Sequence, residues 1–155
     1  DARVQRFQNQ KKFISFRVRN NNMSVARTIV KFAFAFLLFM AGINKVTPIL
    51  SEAIHTELSN KIDVYAVRVW SFLGLDGATL RLCIGWTEAV GALLTLYPSI
   101  SKQVVFLLLM VLCGAFYTHI VMEDGEILPA SVCISLALVL LFTNDGALSS
   151  KLAKE

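Results

Sequence analysis

Charged residues are scarce in this sequence. They make up 17% of its 155 residues, whereas soluble domains usually carry about 25%. Hydrophobic residues make up 55%, which is more than a soluble domain of this length can bury in one core. The composition therefore indicates a single domain that crosses a membrane several times.

Cysteine and the usual catalytic motifs are also sparse. Three cysteines, Cys83, Cys113 and Cys133, lie in apolar runs and form no CxxC pair, which argues against a disulfide framework or a metal site. We interpret them as small apolar side chains. The sequence has no nucleophile–base arrangement, phosphate-binding loop or HExxH motif. We therefore expect neither catalysis nor a bound cofactor.

Acidic residues are nearly absent from the N-terminal segment. Residues 1–27 contain seven Lys or Arg and one acid, whereas the rest of the chain contains eight basic and ten acidic residues. Because the body of the protein is not basic, we do not expect it to bind nucleic acid. The basic leader, residues 1–22, has the composition of a mitochondrial transit peptide. Alternatively, the natural chain begins at Met23 and the leader is extraneous.

Four continuous apolar runs are each long enough to cross a lipid bilayer, which takes about 20 residues. They are VARTIVKFAFAFLLFMAGINKV, TLRLCIGWTEAVGALLTLYP, VVFLLLMVLCGAFYTHIVM and ILPASVCISLALVLLFTND. Their continuity predicts helices rather than strands, and the short connections PSISKQ and EDGE make consecutive helices antiparallel. The sequence thus predicts an all-α integral membrane four-helix bundle over residues 23–145, followed by a short polar tail over residues 146–155.

The connection between the first two runs, residues 47–77, is long enough to hold further helices. Thr47 and Pro48 predict a helix start, and Gly74 and Gly77 predict a stop. The apolar residues between them recur at helical spacing: Leu50, Ile54, Leu58, Ile62, Tyr65, Val69 and Phe72. We expect an amphipathic segment of one or two helices that lies at the membrane interface or folds onto the bundle.

The distribution of Lys and Arg predicts the topology. With four spans, the N-terminus, the second loop and the C-terminus share one side and hold seven, one and two basic residues, against three on the opposite side. The positive-inside rule then places both termini in the cytoplasm. Most of this contrast comes from residues 1–22.

The second run carries Arg81 and Glu88, although a charge at the centre of a bilayer costs about 2.5–3.5 kcal/mol. The two residues share one helix face with Gly85 and Gly91. Small residues on such a face allow another helix to approach closely, and we assign Gly42 in the first run the same packing role. The charged side chains should therefore point toward protein rather than lipid.

Two further residues should reach the level of these charges. Lys45 ends the first run and His119 lies late in the third, and antiparallel packing brings both toward Arg81. Lys45, Arg81, Glu88 and His119 then form either a structural network that fixes helix register or an intramembrane polar site. Such a site would bind a substrate, relay protons or hold polar groups of a partner's helix. Glu88 is the residue that we expect to do more than stabilise the fold.

Several of these stretches resemble a known family. FMAGINKVTPIL, LRLCIGWTEAVGALLTLYP and FLLLMVLCGAFYTHIVMEDG resemble the DoxX-like group of four-span membrane proteins and, within it, the animal chaperones of nicotinic acetylcholine receptors. The similarity covers roughly residues 23–142. Its best parts are G-x2-K-x-TP, which contains Lys45, and LR-x2-IG-x2-E, which contains Arg81 and Glu88, while His119 fits the end of the third span.

The resemblance implies a non-catalytic protein of the endoplasmic reticulum membrane. Its partners would be the lipid bilayer and nicotinic acetylcholine receptor subunits, whose folding and assembly it would assist. A start at Met23 gives a short N-terminus like that of the family, which favours an extraneous leader. The tail SSKLAKE lacks a recognised retrieval signal.

The wider DoxX-like group supplies an alternative from another functional class. Similar motifs occur across that group, and some members look like parts of quinone-linked oxidoreductases. The chain would then be an accessory or quinone-linked subunit of a membrane redox complex. A genuine transit peptide over residues 1–22 would place it in the mitochondrial inner membrane.

Overall fold

The structure is a computed structural model that describes residues 25–143. This part of the chain is all-helical and contains no strand, so the predicted all-α class is confirmed. The five α-helices are α1 (Val25–Val46), α2 (Glu52–Arg68), α3 (Gly77–Thr95), α4 (Ser101–Met122) and α5 (Ile127–Phe142). A short 3-10 helix, Ser71–Leu73, lies between α2 and α3. Both the leader, residues 1–22, and the tail, residues 146–155, are outside the described residues.

The helix in the long connection begins later than the sequence predicts. Ser51, rather than Thr47, precedes its first turn, and the Ser51 hydroxyl accepts a hydrogen bond from the Ile54 amide at 3.3 Å. This bond satisfies one of the free amides at the start of α2. Helix α2 also ends earlier than predicted, at Arg68. Gly74 ends the short 3-10 helix instead, and Gly77 is the first residue of α3. Gly74 takes the left-handed conformation at φ 66°, which costs glycine little.

One apolar core draws side chains from four helices. Phe34 and Leu38 of α1 are buried against Ala92 of α3, Leu108 of α4 and Ala137 of α5. The dispersion contacts of these close-packed side chains hold the helices together.

A second, smaller cluster fastens α2 to the rest of the protein. Ile62 and Ala66 of α2 are buried against Leu80 of α3, with Trp70 packed beside them. The segment therefore folds onto the other helices, but only part of the predicted apolar stripe makes this contact. Ile62 is buried, whereas Leu50, Ile54 and Phe72 are exposed, and Ala66 lies outside the stripe.

Helices α1 and α3 touch backbone to backbone at two glycines. A Cβ atom on Gly42 would lie 2.6 Å from both the Ala89 nitrogen and the Gly85 oxygen, and a Cβ atom on Gly85 would meet Lys45 at 2.9 Å. Only residues without a side chain allow so close an approach. Gly91 plays a similar part toward α4, because a Cβ atom there would lie 2.8 Å from the Leu108 side chain.

Apolar side chains also cover the outside of the protein. Helices α1 and α4 are each long and apolar enough to cross a membrane, and only 22% of the most apolar window of each is buried. A core helix of a soluble protein would be mostly buried. Helix α5, with 16 residues, is shorter than the usual span of about 20. The structure is thus compatible with a membrane protein that has two candidate spanning helices among residues 25–143.

The contact between α1 and α3 generates a matched pair of predictions. We expect Gly42→Ala to destabilise the protein by about 1–3 kcal/mol, because its methyl group overlaps the backbone of α3. Gly114→Ala in α4 is the control, since its Cβ atom would meet only the Trp70 ring, at 3.4 Å. That change should be neutral or slightly stabilising, because Ala is favoured in helices. Unfolding midpoints in detergent would measure both, and equal midpoints for the two variants would contradict the close contact.

Candidate functional site

The centre of the candidate site is an ion pair between α1 and α3. Lys45 Nζ lies 2.5 Å from Glu88 Oε2, and the two side chains are 16% and 4% exposed. Gly42 and Gly85 each lie three residues before one member of the pair. A Cβ atom on Gly85 would meet the Lys45 Cβ atom at 2.9 Å, so the missing side chain at Gly85 leaves room for Lys45 to lie against α3 and reach Glu88.

Burial makes this pair costly unless it stays intact. Taking each charge out of water costs several kcal/mol even after relaxation, and the attraction between the charges offsets that cost only in good geometry. Removing one partner leaves the other charge without compensation. The pair therefore restricts the relative position of α1 and α3 closely. It adds little to the net stability of the protein.

Arg81 points to the end of α1 instead of pairing with Glu88. Its guanidinium donates to the Lys45 carbonyl at 2.7 Å and to His55 Nε2 at 3.0 Å. Since arginine can only donate, Nε2 of His55 must accept and the ring proton lies on Nδ1. Nδ1 then donates to the Asn44 carbonyl at 2.7 Å. Arg81 and His55 thus satisfy two carbonyls of the last turn of α1, which have no partner within the helix.

His119 belongs to a second polar cluster. Its Nδ1 lies 2.8 Å from Asp124 Oδ2, and the Tyr65 hydroxyl donates to the same oxygen at 2.6 Å. The Tyr65 and His119 rings meet edge to face, with centroids 6.1 Å apart. Helix packing predicts that His119 joins Lys45, Arg81 and Glu88, but its hydrogen-bond partner is Asp124, an acid just beyond α4.

The hydrogen bonds of this second cluster stabilise its charged carboxylate. Burial raises the pKa of Asp124, but the bonds from Tyr65, the Glu126 amide and His119 outweigh it and hold the pKa at about 2. Burial and the bond to Asp124 raise the pKa of the Tyr65 hydroxyl. The tyrosine therefore stays a hydrogen-bond donor.

Two further contacts fix α2 and its following turn over the site. Lys61 lies 2.5 Å from Glu126 and 2.7 Å from Glu57, and the bond to Glu126, then that to Glu57, raises the pKa of Lys61. The Trp70 indole donates to the Thr118 hydroxyl at 2.9 Å. These contacts tie the segment after α1 to the facing ends of α4 and α5.

Both polar clusters line one cavity of about 520 Å³ that is bordered by all five helices. The ion pair contributes Lys45 and Glu88, and the second cluster contributes Tyr65 and His119. The remaining lining is mostly apolar and comprises Ala41, Asn44, Ile54, Leu58, Lys61, Ile62, Trp70, Leu73, Leu80, Ile84, Met110, Val111, Gly114, Ala115, Thr118, Glu126 and Pro129. Cavities of roughly 300–1,000 Å³ with apolar walls and a few polar groups are typical of small-molecule sites.

Three potential metal ligands lie close together at one edge of this cavity. Ligand atoms of His119, Asp124 and Glu126 lie within 4.8 Å of one another. However, Asp124 already accepts from Tyr65, and Glu126 is paired with Lys61. A metal ion would have to displace the lysine, so this arrangement works better as a hydrogen-bond network.

Several residues of the site escaped the sequence analysis. Tyr65 belongs to the predicted apolar stripe and Asp124 to the short loop EDGE, and neither pattern predicts a polar site residue. The position of Asp124 directly after the helix that carries His119 is the one sequence feature that indicates their contact. For His55 and Trp70 we find no local signal, because their partners are distant in sequence.

The ion pair predicts a non-additive effect on stability. Glu88→Gln or Lys45→Met alone should cost about 3–5 kcal/mol, because each leaves a charge unpaired in a largely buried place. The double variant Lys45→Met/Glu88→Leu should recover most of that loss. Reversible unfolding in mixed micelles would measure the cycle. A double variant as unstable as the sum of the single ones would show that the pair is not coupled.

Asp124 predicts a pH dependence of stability. Its pKa in the folded protein, about 2, lies below the ordinary value of 3.8, so its contribution is complete above about pH 4 and is lost as the pH falls toward 2. Asp124→Asn should therefore lower the melting temperature at neutral pH, and its difference from the wild type should shrink between about pH 4 and pH 2. The exposed neighbour Glu123 supplies the control, Glu123→Gln. A constant difference down to pH 2 would contradict the assignment.

Comparison with known proteins does not assign the chain to a family. No protein-family model matches the chain, and no curated protein matches it.

Proposed function

We propose that this chain is a four-span membrane chaperone of the endoplasmic reticulum that assists the folding and assembly of nicotinic acetylcholine receptor subunits. The observation that carries the proposal is the buried Lys45–Glu88 pair on the wall of an open cavity. The resemblance of the surrounding motifs to the DoxX-like group, and to the receptor chaperone NACHO within it, supplies the client.

The outer surfaces of α3 and α5 support the proposal that four helices span the bilayer as a bundle. In α3, Trp86 and Leu93 are 53% and 55% exposed, and in α5, Leu128 and Phe142 are 72% and 83% exposed. Such apolar surfaces favour lipid as their surroundings. Glu88 of α3 is buried, so the charge that makes this helix less apolar would not face the lipid.

The same proposal predicts on which side of the membrane the amphipathic segment lies. If both termini are cytoplasmic, the connection that contains α2 lies on the luminal side of the membrane. Helix α2 exposes Glu52 and Glu57 and buries Ile62. It would rest at the luminal interface, partly covering the cavity.

The proposed action follows from the chemistry of the pair. A receptor subunit that has not yet met its neighbours exposes polar or poorly packed helix surfaces within the bilayer, where unpaired polar groups are costly. Lys45 supplies hydrogen-bond donors and Glu88 an acceptor. Together they could shield such a surface until a neighbouring subunit replaces them, without any covalent chemistry.

A redox function remains the alternative. The cavity is large enough for a small planar ring system, and Tyr65 and His119 on its wall are side chains that can hydrogen-bond to quinone oxygens. The chain would then be an accessory or quinone-linked subunit in the mitochondrial inner membrane. A fluorescent tag at the C-terminus separates the two locations, since a reticular signal supports the chaperone and a mitochondrial signal excludes it.

The chaperone proposal predicts the behaviour of receptor at the cell surface. Co-expression of the chain from Met23 onward should increase labelled-toxin binding to nicotinic receptors, and Glu88→Gln should abolish the increase. Glu52→Gln, on the exposed side of α2, should preserve it. Immunoblots would show whether each variant accumulates normally.

The double variant Lys45→Met/Glu88→Leu decides whether the pair acts or only stabilises. If it accumulates normally and no longer increases toxin binding, the pair takes part in the function. Full activity of this variant would mean that the pair is structural. No increase with the unmodified chain, despite good expression, would contradict the chaperone proposal itself.

A further inference from the structure

We infer that the cavity binds a neutral membrane lipid with a free hydroxyl group, such as a sterol, whose hydroxyl is held by Lys45 and Glu88. The inference uses the membrane insertion proposed above but does not depend on chaperone activity. It rests on the polar groups that the cavity offers, on its size and on the place where it opens.

The ion pair presents a donor and an acceptor side by side. Lys45 Nζ has three N–H groups, of which Glu88 Oε2 takes one. The second carboxylate oxygen of Glu88 retains acceptor capacity. A hydroxyl group can accept from Lys45 and donate to Glu88 at the same time, whereas an ether or a carbonyl can only accept.

Charge complementarity excludes ionised headgroups. Lys45 and Glu88 neutralise each other, so an incoming carboxylate or amine would find no net opposite charge at the pair to offset the cost of leaving water. The nearby charge of Arg81 is directed at the carbonyl end of α1, where the helix dipole is negative. A neutral ligand avoids this cost.

An additional acceptor lies beside the pair. Asn44 lines the cavity, and its side-chain oxygen is buried without a hydrogen-bond partner among the described residues. Buried polar atoms are almost always satisfied, so an unpaired one calls for a bound partner. Because a hydroxyl group has a single proton, the Asn44 oxygen would be an alternative to Glu88 as the acceptor of that proton.

The exposure of Met110 places an opening of the cavity on the outer face of α4. Met110 lines the cavity, yet 59% of this residue is exposed, and it lies near the middle of α4, as Glu88 does in α3. In a bilayer this opening would face the acyl chains. A lipid could therefore enter sideways, with its apolar body against residues such as Ile84 and Val111.

The experiment is photolabelling of the full chain, purified in nanodiscs, with a diazirine derivative of cholesterol. Labelled peptides should come from the cavity wall and include residues around Met110. Unlabelled cholesterol should compete, while its methyl ether should compete about tenfold less well or worse, because it cannot donate to a charged acceptor. Oleate and octadecylamine should also compete weakly. Equal competition by all four would overturn the inference, as would better competition by a quinone or absence of cavity labelling.

Matched variants link the labelling to the cavity. Ala115→Phe fills space on the cavity wall and should abolish the labelling, whereas Ala33→Phe makes the same change on the exposed side of α1 and should not. In Lys45→Met/Glu88→Leu, cholesterol and its methyl ether should compete equally. Persistent discrimination in that variant, or equal labelling of the two Phe variants, would overturn the inference.

The assay contains no receptor, so it is independent of the proposed function. Sterol binding without any effect on toxin binding would refute the chaperone alone. Increased toxin binding without cavity labelling would refute the lipid site alone.

Discussion

The close contact between α1 and α3 is the constraint on which the site depends. Two glycines, Gly42 and Gly85, remove the side chains that would hold the helices apart, and at this contact Lys45 reaches Glu88 at 2.5 Å. A buried ion pair tolerates little change in this geometry, because a small separation would leave two desolvated charges poorly matched. The same contact brings the end of α1 within reach of Arg81.

The cavity follows from how the connection after α1 folds back. Helix α2 is fastened to α3 through Ile62, Ala66 and Leu80, and the turn after it is tied to α4 by the bond from Trp70 to Thr118. These attachments hold the segment over the other helices, where an apolar space remains. Polar groups then occupy defined parts of an otherwise apolar wall, which is the usual composition of a selective binding site.

The proposed functions share one physical property of the ion pair. The pair offers a hydrogen-bond donor and an acceptor without net charge. Both line a cavity that a lipid or a membrane helix could reach. Well-packed apolar side chains would often serve stability as well or better. We therefore propose that Lys45 and Glu88 are present for a group that they bind and not for the stability of the fold alone.

The sequence by itself determined the helices and the faces they present. Helical periodicity and apolar length are local properties, so they identified the all-α class and put Arg81, Gly85 and Glu88 on one side of α3. Tertiary structure alone decided which partners meet. His119 bonds to Asp124 and Arg81 to His55, because the rotation and offset of packed helices are set by side-chain fit between distant segments, which local spacing does not encode.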